Sequence, residues 1–565
     1  MRSCTVSRGV LAVLLALALA TSACTGGGQV AEHARAPELT ENDVNPVPRD
    51  QLRDGGTFRW PVIAITPNFN YYHADGLIYE GERVMSALMP WTFRFDMAGQ
   101  PLRNPDLLES AELTAASPDQ VVTYRINPRA VWSDGTPITW RDFEAQWRAL
   151  NGANPAYRVG LTNGYDRISR VAQGADEREA VVTFATPYAD WRSMYSPLYP
   201  ASAMSDPDVF NTGWVDRPLA TAGPFRFDSL NRTAQTITLV RNEQWWGQPA
   251  KLDRIIYRAI DGDAQVDALA NGEIDFADVG PNVSKLRLAQ TLPGVDLRAA
   301  GSPNFRAITF NGQSQMLDDV TVRQAIAMCI NRETIARALL GPLGVPAVPL
   351  GNHFFMNNQF GYQDNSDVVP YDAQVAGTML DEVGWTRQGE IRRKDGKELV
   401  LRFVIPSSVA ESRQEAELVQ GMLAELGVRV AIETVPVSDF FDAYIGLGNF
   451  DLTTFGFQGV PLPISANESL FTTPVEGPDG MDIRQNFARI GSPGIDAALD
   501  QAITELDPLR AIALANTADA MIWELVLSVP TYQRPDIVAT NSAIANFGAF
   551  GFAQPVIYED IGFVG

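Results

Sequence analysis

The side chains best able to do chemistry in this chain are few and scattered. Three histidines, His33, His73 and His353, lie far apart, so their spacing offers no histidine-built metal site. Three cysteines (Cys4, Cys24, Cys329) are too few for a disulfide scaffold. Cys329 sits in the apolar helical run Ala325-Ile326-Ala327-Met328-Cys329-Ile330, where a thiol is a buried packing group rather than a nucleophile. The acid pairs Asp261/Asp263 and Asp318/Asp319 occur among 67 acidic residues. Asp318-Asp319 stands before a helical run, where carboxylates cap free N–H groups. Phosphate-loop, dinucleotide-binding, zinc-protease, nucleophile-elbow and Cys-x-x-Cys patterns are all missing. No nucleophile, base and acid can be assembled, so the expectation is a protein that is not an enzyme and uses no cofactor and no metal.

Binding residues are easier to find. Asn68-Phe69-Asn70-Tyr71-Tyr72, Trp245-Trp246 and Gly456-Phe457-Gln458-Gly459 combine aromatic walls with polar groups, the lining of a concave ligand site. Gly456 and Gly459 flank Phe457 and let backbone come close to a ligand. Asn486 is a further candidate, and Arg489 a candidate partner for a ligand carboxylate.

The elements that must carry these residues follow from length and periodicity. The chain has 565 residues, 45% hydrophobic and 20% charged, too long for one compact domain. Its net charge of −23 excludes a nucleic-acid binder, which needs a basic face for phosphates. Only four lysines (Lys251, Lys285, Lys394, Lys397) stand among 44 basic residues. Arg2 and Arg8 flank the start of an eleven-residue apolar run at 10–20. This run is shorter than the roughly 20 residues that span a bilayer and is laid out as an export signal. Thr21-Ser22-Ala23-Cys24 then follows, the pattern of a bacterial lipoprotein: residues 1–23 are expected to be removed and Cys24 lipidated. Residues 24–55 read as a flexible tether, with order beginning at Gly56-Thr57-Phe58. Further on, 372–383 places Val375, Met379 and Val383 on one helical stripe, with Gly384 as its stop. Residues 415–426 repeat the design and end at Gly427. Val428, Val430 and Ile432 then alternate as a strand, Ser438 caps a short helix through Tyr444, and a strand follows from Asp451. Helix and strand alternating between glycine breaks make an α/β protein.

Four stretches resemble the extracytoplasmic solute-binding proteins of family 5, which serve importers of oligopeptides, dipeptides and nickel. They are Val131-Trp132-Ser133-Asp134-Gly135-Thr136-Pro137 through Phe143; Ala222-Gly223-Pro224-Phe225 with Arg241-Asn242-Glu243-Gln244-Trp245-Trp246-Gly247; Phe310-Asn311 with Asp319 through Arg332; and the Tyr371-Asp372 helix continuing to Asp451-Leu452. Ser528-Val529-Pro530-Thr531-Tyr532-Gln533 is similar to the family's return segment. The resemblance implies a two-lobed periplasmic-binding-protein fold of type II, with an inserted subdomain and a two-strand hinge. Lobe I would span 56–287, lobe II 288–527, and 528–565 would return to lobe I. It further implies a monomer tethered by its lipid to the outer face of the cell membrane. Such a protein captures an oligopeptide or peptide-like solute by lobe closure and passes it to an ABC permease and its ATPase. In peptide-binding members an acid shortly after the second-lobe glycine–tryptophan step holds the peptide ammonium. Here 456–463 carries no carboxylate. A second resemblance, of 42–50 and 558–563, is to an actinobacterial lipoprotein branch, some of whose members bind phosphatidylinositol mannosides. It implies the alternative of a glycolipid-binding protein or a regulator of envelope lipoglycan synthesis.

Overall fold

The computed structural model describes residues 42–162, 164–477 and 480–565. The export signal, Cys24, His33 and the first part of the tether lie outside the described residues.

The stretches that carry the family resemblance are scaffold. Asp134 Oδ1 accepts from the N–H and hydroxyl of Thr136 at 2.9 and 2.6 Å, closing a turn in which Gly135 has φ +85°. Thr139 and Asp142 then form a reciprocal capping box that starts helix Trp140–Leu150. Burial pushes Asp142 up to about 6 against the lowering effect of the Thr139 and Ala201 N–H groups that it caps. The turn docks on the second stretch, since the Ser133 N–H donates to the Thr221 carbonyl at 2.8 Å. Asn242 in turn donates to the Gly223 carbonyl at 2.9 Å. A Cβ on Gly223 would lie 2.5 Å from the Ala87 carbonyl oxygen, so only glycine lets this strand entry approach the neighbouring helix.

In the first lobe a four-stranded sheet runs in the order Thr57–Val62, Arg254–Ala259, Thr236–Arg241, Phe225–Asn231. Between its first two strands in sequence, the chain inserts a four-stranded antiparallel sheet of Leu108–Ala115, Gln120–Ile126, Glu179–Phe184 and Ile168–Gln173. The second lobe is built on a six-stranded mixed sheet. Its order is Phe276–Asp278, Ser528–Asn541, Val295–Phe310, Leu452–Phe457, Val400–Pro406, Arg429–Val435. The long strands Val295–Phe310 and Ser528–Asn541 pair antiparallel from Val295↔Asn541 to Thr309↔Ser528, and the second of them leads the chain back to the first lobe.

Two large apolar cores follow this division. One contains Phe58, Trp60, Trp191, Trp214 and Tyr257; the other contains Ile308, Phe403, Leu423 and Val529. Helices Pro493–Thr504 and Pro508–Leu525, which the expected boundaries give to lobe II, put Leu499 and Ile522 into the first core. Trp523 on the same second helix enters the other, so this helix joins the two.

Several local expectations need amending. Residues 42–55 are paired rather than free. Asp43 bridges Ala549, Leu52–Arg53 pairs with Gly562–Val564, and Asn45 and Asn546 hydrogen-bond across the two ends of the chain. Helix Ala373–Glu382 begins at Asp372, whose side chain caps two N–H groups. It buries Ala376 and Leu380 and leaves Val375 exposed at 44%, so its inner face is rotated by about one residue from the apolar stripe. Ser438 is not a cap: it lies inside Val437–Asp439, which continues as a π-helical turn Phe440–Ile445. Cys329 is buried, and burial pushes its thiol up to about 11, consistent with a packing role.

Candidate functional site

Helix Tyr79–Leu88 of the first lobe presents Tyr79 and Arg83 one turn apart. Arg83 donates to the Tyr79 hydroxyl at 2.9 Å, and its guanidinium sits 4.6 Å over that ring. Its backbone carbonyl accepts from Tyr257 and Tyr558 at 3.1 and 2.6 Å, which fixes the helix on the first-lobe sheet. Facing it, strand Ser528–Asn541 carries Arg534 and Asp536 at alternate positions, hence on one face. Arg534 pairs with Glu411 at 3.3 Å. A side chain on Gly456 would lie 3.9 Å from Arg534 Nη1, so the 456–459 segment runs past this arginine.

Tyr79 keeps 55% of its surface open, and Asp278 is exposed too. Yet desolvation by surrounding protein pushes both groups upward. Charges of strand Ser528–Asn541 reach both, Asp536 acting on Tyr79 and Arg534 on Asp278. Asp536 is half-buried: desolvation, with the Asp278 charge adding to it and Arg83 opposing, pushes it up to about 7. Tyr71, half-buried, lies near the same helix: burial raises its hydroxyl, with Glu82 adding and Arg83 opposing.

On the second lobe Phe457 stacks on Phe305 at 4.9 Å with an 11° interplanar angle and lies 4.7 Å from Phe455. Phe487 and Phe441 meet Phe455 edge-on. Phe305 and Phe457 are register partners in adjacent strands, so the stack is a cross-strand pair. Beside it lies a cavity of about 10 Å³ among Thr309, Phe457, Phe471, Gln485 and Phe487, room for roughly one water. Gly459 is fixed by packing: a Cβ there would be 2.1 Å from the Pro303 carbonyl oxygen.

The expected site residues divide by what they touch. Asn68 donates to the Asn211 carbonyl and accepts from the Asn70 N–H. Asn70 donates to the Phe210 carbonyl and accepts from the Tyr72 N–H. Tyr72 donates to the Pro197 carbonyl at 2.9 Å, and Phe69 is wholly buried against Phe227. These four side chains are engaged with the first lobe; Tyr71 alone of the five borders the cleft charges. Gly456 and Gln458 are exposed and Phe457 and Gly459 half-buried. Asn486 is buried, donating to the Thr472 and Ile490 carbonyls. Arg489 donates to the carbonyls of Phe487, Ile445 and Gly446, holding the end of the π-helical turn. The Trp246 indole donates to the Asp106 carbonyl, and its ring packs on Trp245. Sequence reasoning did not single out Tyr79, Arg83, Asp278, Arg534 or Asp536. The signal was there in part: Arg534 and Asp536 interrupt an apolar strand.

The segment after Gly459 is tied to the inserted subdomain. Asp190, 6% exposed, accepts from the Ser465 N–H at 3.0 Å and hydroxyl at 2.7 Å, and Tyr188 reaches the same hydroxyl at 2.9 Å. Asp190→Ala leaves the enclosed Ser465 N–H without its acceptor, so a loss of about 1–3 kcal/mol in unfolding free energy is expected in denaturant titration. An unchanged midpoint would show that this contact contributes nothing.

The sequence pattern described as Bacterial extracellular solute-binding proteins, family 5 Middle, matches residues 104–477. The chain is 42% identical over 559 residues to the oligopeptide-binding protein OppA of Mycobacterium tuberculosis strain H37Rv, covering 97% of this chain and 93% of that one. It is 25% identical to the probable monoacyl phosphatidylinositol tetramannoside-binding protein LpqW of the same strain, covering 72% and 69%. Among solved structures, the periplasmic EDTA-binding protein EppA superimposes with a TM-score of 0.83 at 26% identity, covering 93% and 98%.

Proposed function

The chain belongs to the bacterial extracellular solute-binding proteins of family 5, and on that premise we propose that it captures short peptides between its two lobes. It hands them to an ABC permease and its ATPase, and acts as a monomer held at the outer face of the cell membrane by a lipid on Cys24. The observation that carries the peptide reading is the 42% identity with an oligopeptide-binding protein over nearly the whole of both chains. The cleft supports it. Tyr71, Tyr79 and the Phe305–Phe457 stack supply apolar faces, and Arg83, Asp278, Arg534 and Asp536 supply charges of both signs. A zwitterionic solute with side chains meets both needs, whereas a polyanionic chelate would face Asp278 and Asp536.

The function is binding followed by closure. A ligand that touches both lobes favours the closed arrangement by the difference between its affinities for closed and open forms. Exposed Gln458 and half-buried Phe457 of the second lobe, with Tyr71 and Tyr79 of the first, are the groups proposed to touch the solute. Asn68, Phe69, Asn70 and Tyr72 shape the first-lobe wall behind Tyr71, and Asn486 and Arg489 fix the second-lobe edge.

A melting screen with di- to hexapeptides tests this directly. Peptides at about 100 times their dissociation constant should add about 2.7 kcal/mol of stability. Failure of every peptide to raise the melting temperature would overturn the reading. The likeness to the tetramannoside-binding protein favours a second reading, a glycolipid-binding or lipoglycan-regulating lipoprotein. Mass spectrometry of small molecules released from the purified protein separates the two, since an acylated mannoside in place of peptides would select the second.

A further inference from the structure

Three consecutive residues of the inserted subdomain, Tyr188, Ala189 and Asp190, reach segments that follow the second-lobe strand Leu452–Phe457. The Ala189 N–H donates at 2.7 Å to the carbonyl of Ile503 on helix Pro493–Thr504. Asp190 Oδ2 accepts from the N–H and the hydroxyl of Ser465, on the short helix Pro463–Ala466. Tyr188 meets the same hydroxyl at 2.9 Å. A serine hydroxyl has one proton, and Asp190 takes it. Tyr188 is therefore the donor to Ser465 Oγ, which makes a directed chain from phenol through serine to carboxylate. Burial raises the Asp190 carboxyl, and the two Ser465 donors oppose that rise.

The subdomain side of this contact is rigidly backed. The Tyr188 N–H donates to Gln120 Oε1 at 2.6 Å, and its carbonyl accepts from Gln120 Nε2 at 3.1 Å. Gln120 begins strand Gln120–Ile126 of the inserted sheet. A Cβ on Gly164 would lie 2.5 Å from the Tyr188 ring, so main chain packs against the ring as well.

The second-lobe side belongs to the segment that carries Phe457 and Gln458, and another first-lobe element holds that segment a few residues earlier. Asp96 Oδ1 closes the turn at 96–100 by accepting from the Ala98 and Gln100 N–H groups. The Ala98 carbonyl then accepts from the Phe360 N–H at 3.0 Å, and Gln359 donates to the Pro461 carbonyl at 3.0 Å. The segment is thus held at Pro461 and at Ser465, on the far side of Phe457 and Gln458. Tyr188, Asp190 and Ser465 are buried, so the solute does not meet them.

We propose that Tyr188, Ala189 and Asp190 form a closure latch with Ser465 and Ile503, which sets how long a solute stays enclosed without touching it. That a solute closes the lobes is the reading given above, and the latch rests on it. On opening, each of these hydrogen bonds is exchanged for one to water, so its net contribution is small and the contact can open and form again. It is made only where the lobes meet. It therefore stabilises the closed form alone, which is what a shift of the open–closed equilibrium requires. Apparent affinity scales with the fraction of competent, closed protein, so a weakened latch should act mainly by speeding release.

The test compares wild type, Ser465→Ala and Tyr188→Phe by hydrogen exchange, calorimetry and melting, with and without a pool of two- to six-residue peptides. The Ala189 and Ser465 amides can exchange only when the contact parts. In the wild type, the peptides should slow exchange at 185–191 and 463–467 together. Ser465→Ala removes the hydroxyl that both Tyr188 and Asp190 use. It should speed exchange at 185–191, on the opposite lobe, and weaken apparent affinity about tenfold. Tyr188→Phe removes one donor and should cost about threefold; it decides the matter if Ser465→Ala folds poorly. A melting temperature lowered equally with and without peptides, at unchanged affinity, would make the contact a permanent part of the fold and overturn the latch. Unchanged exchange at 185–191 in both variants would overturn it too. If no peptide binds the wild type, the peptide reading falls. Faster exchange in the ligand-free variants, confined to 185–191 and 463–467, would then still uphold the latch.

Discussion

Glu415→Ala should cost about 3–5 kcal/mol of folding free energy, the largest single-residue effect expected in the second lobe. Glu415 is fully buried and Arg306 is 3% exposed. The guanidinium meets the carboxylate in a fork, Nε to Oε1 at 2.8 Å and Nη2 to Oε2 at 2.7 Å. Nη2 also donates to Ser412 at 2.8 Å, and the Thr454 hydroxyl donates to the same carboxylate. Removing the carboxylate leaves a buried cation whose desolvation is no longer compensated. The loss is a large share of the roughly 5–15 kcal/mol that holds a domain folded. It should also reach the ligand. Arg306 is the register partner of Gly456, and Phe305 of Phe457, so the ion pair fixes the strand that presents the second-lobe contact. Chemical denaturation checks the first effect and calorimetry with a peptide the second. A midpoint like the wild type's would show that the pair is not structural. A double replacement by apolar residues of similar size should recover much of the lost stability, because no unpaired charge remains.

Phe457→Ala should weaken peptide binding by about 30-fold while leaving the protein folded. The ring is half-buried, stacked on Phe305 along one face and close to Phe455, so part of its surface is free to meet a ligand. Truncation removes an anchor already held by Phe305 and Phe455, so binding does not have to order it first. The cost to the fold should be modest, because Phe305 and Phe455 retain their own buried contacts. Calorimetry read beside a melting curve separates the two effects. Unchanged affinity with a lowered melting temperature would make Phe457 a packing residue only.

How far the sequence discloses this molecule depends on what each segment does. The stretches that mark the family act on their own neighbourhoods. Asp134 and Gly135 close a turn, Thr139 and Asp142 cap a helix, and Asn242 ties a turn to the strand entry at Gly223. Local chemistry of this kind has fixed spacing, so it can be read along the chain; helix and strand periodicity gives the α/β class, and the family resemblance that these stretches carry implies the two lobes. The cleft is different. Arg83, Asp278 and Asp536 are far apart in sequence, and they converge only because strand Phe276–Asp278 pairs with Ser528–Asn541 and helix Tyr79–Leu88 packs across from it. Nothing in any one of these segments announces the meeting. The Asn68-Phe69-Asn70 run misleads for the complementary reason. Its residue types suit a binding surface, but its amides cap backbone groups at 210 and 211. Arg489 looks free in sequence and is held by three backbone carbonyls. The helix at 373–382 shows a smaller version of the same limit, since tertiary packing chose Ala376 and Leu380 over the bulkier Val375.

The two lobes are expected to close around a bound peptide. Calorimetric titration of the purified protein with a pool of two- to six-residue peptides measures it most directly. A saturable heat at one peptide per chain, with a negative heat-capacity change from the surface buried on closure, is the predicted result. The absence of any saturable heat across temperature and pH, with an unshifted melting curve in the same samples, would contradict it.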